Sequence, residues 1–514
     1  MPEAVRRGAP TPPIEFGVAT ASVRARFEPA EVAVDDRIIN KLKQVCDRVE
    51  VDARDRVQAG RDWWPLTISW ALSGEVPARP AAVVMPSTAT EVAAVVACCA
   101  DLRIPVTAAA GRSGVCGGSV PVFGGVVLDL TGLQGIVDID DQSLLVDLLP
   151  GTFGDVLEES LRTQHGLTLG HWPQSITLST VGGWVACRSA GQYSTRYGKI
   201  EDMVVGLEVA LSDGRLIRTG GTAPRAAAGP DLTQLFVGSE GTLGVITEVR
   251  LRAQPVPPVA RRAAFGFESF GAGLDSCRRI LRRGATPAVL RLYDVTESRR
   301  AFDVAEGNVL IVLDEAEAPL VDATMELVVD ECGQAERLGD DLVERWLAHR
   351  NDVSALESVT RHGITVDTIE IAARWSALSA IYEDVISALS QIDGTLVASA
   401  HQSHAYRDGA CLYFTFAGRP APEASADAAS AAEAGAAERY YRRAWDAVMS
   451  LTRSHGGAIS HHHGIGINRG RHLAPALGPA FDVLVGLKAA LDPTGVLNPG
   501  KLGLPSPFGE VPWP

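Results

Sequence analysis

The stretch Gly111-Arg112-Ser113-Gly114-Val115-Cys116-Gly117-Gly118 follows an apolar run, Ile104 to Ala110, so a strand is expected to lead into a glycine-rich loop. With several Cβ atoms missing, the backbone N–H groups of such a loop can face an anion such as a diphosphate. The spacing contains no GxGxxG, which argues against a Rossmann site. One such loop, taken alone, is equally well a turn without a ligand. Two more of the same character follow it, however. Pro173-Gln174-Ser175-Ile176-Thr177-Leu178-Ser179-Thr180-Val181-Gly182-Gly183-Trp184 packs hydroxyls and glycines together, and Gly238-Ser239-Glu240-Gly241-Thr242-Leu243-Gly244 repeats that chemistry. Three small, hydroxyl-bearing walls suit a large ligand with many acceptors, such as a dinucleotide lying extended across a domain. A fourth glycine turn, Gly495 to Lys501, is a near-miss for a P-loop, but Leu502 stands where Ser or Thr would have to bind magnesium.

Around these loops the texture of the chain changes in blocks. Residues 1–75 read as a Pro-rich start and a helical lead-in, with an amphipathic helix expected over Asp36 to Val51. Residues 76–256 alternate β-branched runs (Ala81 to Met85, Val126 to Leu130, Leu144 to Leu148) with a helix over Thr90 to Leu102. The cluster Gln254-Pro255-Val256-Pro257-Pro258 continues neither a helix nor a central strand, and it marks a domain boundary. Residues 257–455 alternate amphipathic helices (Phe270 to Arg283, Ala318 to Cys332, Trp375 to Leu389) with strands (Val309 to Leu313, Gly394 to Ser399, Ala410 to Phe416), the pattern of a sheet covered by helices. Pro420 to Glu438 is Ala-rich and acidic and reads equally as a loop or the start of a helix. Residues 456–514 hold a His/Gly cluster, a helix over Ala480 to Leu491 and a Pro-rich tail.

Charge and composition remove several functions. With 47 Lys and Arg against 62 Asp and Glu the 514-residue chain carries −15, so its field repels nucleic acid and an anionic substrate must be captured by local arginine or lysine. Eight cysteines without CxxC pairs suit buried thiols in a reducing, cytoplasmic compartment. Residues 1–17 show no apolar h-region, and no uncharged run approaches a membrane span.

The most informative cluster is Ser454-His455-Gly456-Gly457-Ala458-Ile459-Ser460-His461-His462-His463-Gly464-Ile465-Gly466, with four of the eleven histidines. Three consecutive histidines cannot all point one way on a strand or helix, so at most two should face a common site. A metal site or structural histidines remain open here; with no HExxH or carboxylate partner alongside, proton transfer near neutral pH is the favoured role.

Taken together these motifs resemble the flavoproteins of the vanillyl-alcohol oxidase / p-cresol methylhydroxylase superfamily, from about Arg61 to Leu502. Within it the chain looks like the alkyldihydroxyacetonephosphate synthases, which form the ether bond of ether lipids. The matching stretches are Ser179 to Trp184, Arg196-Tyr197-Gly198-Lys199-Ile200-Glu201-Asp202, Gly238 to Thr247, Pro287-Ala288-Val289-Leu290-Arg291-Leu292, Asp408 to Phe416 and the His-His-His-Gly run. The resemblance implies an α+β fold: a two-subdomain FAD-binding domain, a cap domain whose antiparallel sheet is covered by helices, and a C-terminal helical segment returning to the flavin. It implies FAD, held without a covalent bond by Ala109, Ala110, Gly111, Arg112 and Ser113, by Gln174, Ser175, Ile176, Thr177, Leu178, Ser179 and Thr180, by Cys187, Arg188, Ser189 and Ala190, and by Glu240, Gly241, Thr242, Leu243, Gly244, Val245 and Ile246. Relatives usually read Gly-Gly-Gly-Thr-Ser where this chain has Ala109-Ala110-Gly111-Arg112-Ser113, so Arg112 is expected either to salt-bridge the diphosphate or to displace it.

The branch rests on a contrast. The related D-2-hydroxyacid dehydrogenases carry Gly-Asp-Gly-Asn-Leu-His and Glu-His-Gly, whose His and Glu bind a divalent metal. Here the matching stretches read Asp408-Gly409-Ala410-Cys411-Leu412-Tyr413 and His461-His462-His463-Gly464, so Tyr413 replaces the metal-binding His and His462 the Glu. The resemblance thus implies no metal, and Tyr413 and His462 as an acid/base pair in which an imidazole lowers the phenol's pKa. It implies His461 and His463 as further catalytic residues that orient groups or stabilise charge, and Arg350, Arg291 and His171 lining the substrate pocket, with Arg350 on the phosphate. The implied reaction starts with removal of a C1 proton from acyl-dihydroxyacetone phosphate and exchanges the acyl group for a long-chain alcohol without net redox. The alternative is a flavin dehydrogenase or oxidase of a D-2-hydroxy acid or related alcohol. Under the transferase reading the expected partners are a small-molecule lipid substrate, a membrane touched at its periphery and a second copy in a homodimer.

Overall fold

The computed structural model describes residues 16, 18–27, 32–352, 359–360, 362–421 and 429–513. The Pro-rich start and residues 422–428 of the Ala-rich segment lie outside the described residues; from Ala429 to Ser454 the chain is one helix.

Two main sheets, beside two short two-stranded ones, make the first half. Strands Ala82–Val84, Val126–Asp129 and Val106–Ala109 run parallel, because the helix Ala89–Leu102 provides the crossover between the first and the last. That helix starts on Thr88, whose hydroxyl accepts the N–H of Glu91, and buries Val92, Val95, Val96 and Cys99. The amphipathic helix expected over Asp36 to Val51 stops at Val45, since Val49–Glu50 pairs antiparallel with Val83 and Val84 and extends this sheet instead. The second sheet is antiparallel, in the order Leu216–Gly220, Val204–Ala210, Val245–Arg252, Leu145–Leu148, Ile136–Asp140.

The second half is a seven-stranded antiparallel sheet in the order Glu336–Leu338, Val259–Phe267, Asn308–Ala316, Val289–Tyr293, Thr395–Ala405, Gly409–Gly418, Thr365–Arg374. Strand periodicity divides its two faces. Leu290, Leu292, Ala400, Leu412, Phe414, Ile369 and Ile371 point into one core with residues of the helices Phe270–Arg282, Trp375–Ser390 and Ala429–Ser454. The alternate residues face the first half. Across this face Glu370 stands opposite Tyr413, Tyr413 opposite His401, and His401 opposite Tyr293.

The C-terminal segment returns to the first half. Leu497 bridges Val106, Asn498 donates to the carbonyls of Gly118 and Glu240, and Ile467 and Asn468 donate to the carbonyl of Cys116. No single helix among the described residues is long and apolar enough to cross a membrane.

Candidate active site

One cavity of about 1180 Å³ lies between the two halves, and all three glycine-rich loops open onto it. Gly111 locks the first loop to the second, because a Cβ there would meet the carbonyl oxygen of Leu178 at 2.0 Å. Ala109, Ala110, Gly111, Arg112, Ser113, Gln174, Ser175, Leu178, Ser179, Cys187, Ser189, Ala190, Glu240, Gly241, Gly244, Val245 and Ile246 line the wall. Such an extended wall of small residues and hydroxyls, in a cavity larger than most small-molecule pockets, fits a dinucleotide. Glu240 ties the third loop to the C-terminal segment by accepting the N–H groups of Ile465 (2.6 Å) and Gly466 (2.8 Å).

Several expected contacts sit behind this wall. Ile176 and Leu243 belong to the core of the second sheet, and Thr180 precedes the helix Val181–Cys187. Thr177 lies in a turn off the wall, and the hydroxyl of Thr242 donates to Ser239 O. Arg188 caps that helix in the left-handed conformation, which swings its side chain outward to Glu201. Arg112 also has a positive φ, 54°, and its guanidinium meets Asp129 at 2.5 Å, so its charge is committed within the first subdomain. His171 does not line the cavity. It is fully buried behind Ser189, whose Oγ is 2.9 Å from Nε2, and packs on Trp184.

On the cap side the stacked row Tyr293, His401, Tyr413 forms the floor, with ring centroids 5.2 and 4.9 Å apart. A register shift between Gln402 and His404 re-aims this strand, so that His401, Ser403 and His404 all reach the cavity. The loop His461 to His463 closes over the row. Its backbone N–H groups all donate to Glu370, at 2.6, 3.3 and 2.7 Å, and Ser460 adds its hydroxyl at 3.0 Å. This is an anion nest built on a side chain of the neighbouring sheet. Neither Glu370 nor His401 and His404 is singled out by the sequence reading; a polar residue inside an apolar strand, as Glu370 is between Ile369 and Ile371, is the signal that was there to find.

The nest turns His462 and His463 to the cavity and His461 away from it. His462 stacks on Tyr413 at 6.1 Å and His463 meets Tyr413 edge-on at 5.5 Å. Burial holds His461 and His462 at about 3 and His463 at about 4, so all three rings are neutral. The expectation that an imidazole lowers the Tyr413 pKa does not hold. Burial pushes the phenol upward, and its hydroxyl lies 3.0 Å from Thr368 Oγ1. The pair is therefore a protonated phenol beside a neutral imidazole.

His404, Cys411, His461 and His462 each bring one ligand atom within 4.8 Å of the others. The set contains no carboxylate, and both ring nitrogens of His461 are already engaged, one by Tyr406 and one by His462. Burial keeps the Cys411 thiol protonated, while His404 Nε2 is buried with no hydrogen-bond partner among the described residues.

Arg291 and Arg350 line the cavity on either side of Trp346, with guanidinium carbons 5.8 and 5.6 Å from its ring. Arg291 reaches His401 Nε2 at 2.6 Å, and Arg350 donates to Gln192 Oε1 at 3.2 Å. Neither is paired with a carboxylate among the described residues.

A dinucleotide-sized cleft under a second domain that contributes titratable side chains fits a dinucleotide-dependent enzyme. Residues 80–220 match the FAD binding domain and residues 256–502 the C-terminal domain of FAD linked oxidases. The chain belongs to this FAD-linked oxidase family, and its cofactor is FAD. It is 34% identical over 418 residues to the uncharacterized FAD-linked oxidoreductase YgcU of Escherichia coli O157:H7, covering 78% of this chain and 83% of the relative. It is 29% identical over 469 residues to glycolate oxidase subunit GlcD of Bacillus subtilis (87% and 93%). Alkyldihydroxyacetonephosphate synthase is similar on two counts: the Trypanosoma brucei brucei sequence is 26% identical over 531 residues (94% and 82%), and a solved structure of such a synthase superposes with a TM-score of 0.74 at 22% identity (92% and 86%).

Proposed function

We propose that this chain is an FAD-dependent alkyl transferase that exchanges the acyl group of acyl-dihydroxyacetone phosphate for a long-chain alcohol. The observation that carries the reading is Tyr413 against His462: a protonated phenol and a neutral imidazole on one cavity wall, one able to give a proton and the other to take one. His462 removes the C1 proton of the substrate. Tyr413 donates to the departing carboxylate and is reprotonated by the entering alcohol as its oxygen bonds to C1, His462 returns its proton to C1, and Thr368 holds the phenol hydroxyl in place. Arg291 and Arg350 receive the phosphate, for which an acidic protein must supply local positive charge. Bound FAD supplies the electron sink for the substrate carbon. The similarity to alkyldihydroxyacetonephosphate synthases supports this reading over 94% of the chain.

A second reading, oxidation of a D-2-hydroxy acid, is favoured by the His404, Cys411, His461 and His462 group, which a divalent cation could occupy after breaking the His461–His462 contact, and by the similarity to GlcD. One experiment separates them. Purified holoenzyme is mixed anaerobically with acyl-dihydroxyacetone phosphate and a long-chain alcohol, and separately with D-2-hydroxy acids. Ether product without an electron acceptor is expected; bleaching of the flavin by a hydroxy acid, with stoichiometric metal by elemental analysis, overturns the transferase.

A further inference from the structure

His461 faces away from the cavity, yet both its ring nitrogens are occupied. Nε2 lies 2.9 Å from the Tyr406 hydroxyl, and Nδ1 lies 2.9 Å from His462 Nδ1. The Tyr406 hydroxyl in turn lies 3.0 Å from Ser194 Oγ. Ser194, Tyr406, His461 and His462 thus form one line that starts in the FAD-binding half, passes through the cap and ends at the cavity.

The chemistry of this line is constrained. A neutral imidazole has one N–H, and between two Nδ1 atoms in hydrogen-bond contact one must donate and the other accept. The tautomer of His461 therefore dictates that of His462. If His461 is protonated on Nε2, its proton points at Tyr406, Tyr406 donates onward to Ser194, and His462 must supply the proton between the two Nδ1 atoms. Its own Nε2 is then a bare lone pair. The opposite polarity makes His462 Nε2 an N–H, which cannot accept a proton.

We propose that Tyr406 is a positioning residue whose hydroxyl accepts the Nε2–H of His461 and so holds His462 in the Nδ1–H tautomer, with Nε2 open as a base. The direction rests on the base role given to His462 above. Tyr406 is built to hold still. Its N–H donates to Gly409 O at 2.8 Å, its carbonyl accepts the Trp375 indole at 3.0 Å, its ring stacks on His461, and the Lys199 ammonium sits 4.8 Å over that ring. Deprotonation of Tyr406 is opposed by burial, so it remains a hydroxyl that must donate to one neighbour and can accept from the other.

The test is 15N NMR of holoenzyme labelled at histidine, with His461 and His462 assigned from single Asn variants. His462 is expected with its proton on Nδ1 and His461 with its proton on Nε2. In Tyr406→Phe the two tautomers mix, and kcat falls about tenfold or more through misplacement of the lone pair, with KM and the flavin spectrum unchanged. Ser194→Ala, which keeps the phenol, gives a smaller effect of the same kind. A wild-type His462 protonated on Nε2, or tautomers unaltered in Tyr406→Phe, overturns the proposal. The spectrum needs no substrate, so the expected tautomers in an enzyme without ether synthesis would sink the transferase reading and leave the Tyr406 contact standing.

Discussion

Glu370 and Arg469 form an ion pair from which water is excluded: both side chains are 0% exposed, with Oε1 3.1 Å from Nη1. Arg469 also donates to the carbonyl of Ile459 at 2.7 Å, so the two ends of the three-histidine loop are pinned by the partners of one contact. The pair holds the Glu370 carboxyl well below the usual range despite its burial, with help from the backbone N–H of His461.

Glu370→Gln keeps the shape and removes the charge, which strands Arg469 in the interior. Breaking one side of a buried pair costs about 3–5 kcal/mol. The expected result is a clear fall in unfolding free energy together with loss of turnover, since the loop that presents His462 and His463 is loosened. A variant as stable as the parent in urea would show that the loop is held by something else.

Tyr413→Phe removes one oxygen from the cavity floor and leaves the stacked row intact. General acid catalysis is typically worth about 10²–10⁴-fold, so ether synthesis should fall by that order while FAD content and spectrum stay at the parent level. Turnover within a few-fold of the parent would exclude Tyr413 as the proton donor.

Much of this architecture was legible, and the reasons differ by element. The runs Ala81 to Met85 and Val126 to Leu130 became strands within a residue of their expected ends, because β-branched apolar runs bounded by Gly or Pro have few other uses. The glycine loops were legible because close backbone approach leaves its mark in composition. What a single stretch cannot show is which neighbour it meets. Val49 and Glu50 read as helix and were captured by the strand Ala82–Val84. His171, between Gly170 and Trp172, read as a pocket residue and lies one layer behind. Glu370 is about ninety residues from the histidines it nests, and His404 reaches the cavity only because of an irregular register.

The fold should lose stability on acidification from pH 7 to pH 5. Burial holds His171, His401, His461, His462, His463 and His472 at about 3 or 4 and His404 well below its usual value. Below the unfolded value of about 6.5 the unfolded chain takes up protons that the folded chain refuses, so each imidazole weakens the fold by up to about 1.4 kcal/mol per pH unit. Asp62 and Asp367, raised to about 7, Asp294, raised to about 6, and the raised Glu158 and Glu240 act in the opposite sense. Seven imidazoles outweigh five carboxyls. Urea unfolding across this range should show falling stability, and a flat or rising profile would contradict the neutral-histidine site.

The flavin should leave with acid. Cys116 and Cys187 line the cavity, but burial drives both thiols away from the thiolate form that a covalent link requires. After acid precipitation the yellow colour is expected in the supernatant; colour retained in the pellet would mean a tether.

Arg350 sets stability against binding. Its guanidinium lies 5.2, 4.9 and 5.6 Å from the rings of Trp172, Tyr193 and Trp346, and burial lowers its pKa, an effect that Tyr193 and the more distant Glu315 carboxylate offset only in part. A buried charge without a direct ion-pair partner weakens the fold, and the substrate phosphate proposed for this site would supply that partner when it binds. Arg350→Met keeps length and apolar bulk. It should melt higher than the parent in the absence of substrate, and it should show KM for the phosphorylated substrate raised about tenfold to a hundredfold, the worth of one charged hydrogen bond. Arg350→Lys should not rescue binding, because an ammonium lacks the flat face that three rings hold. Inorganic phosphate should inhibit the parent competitively and the Met variant far less. Unchanged KM and unchanged phosphate inhibition in Arg350→Met would move the anion site elsewhere, with Arg291 next to be tested.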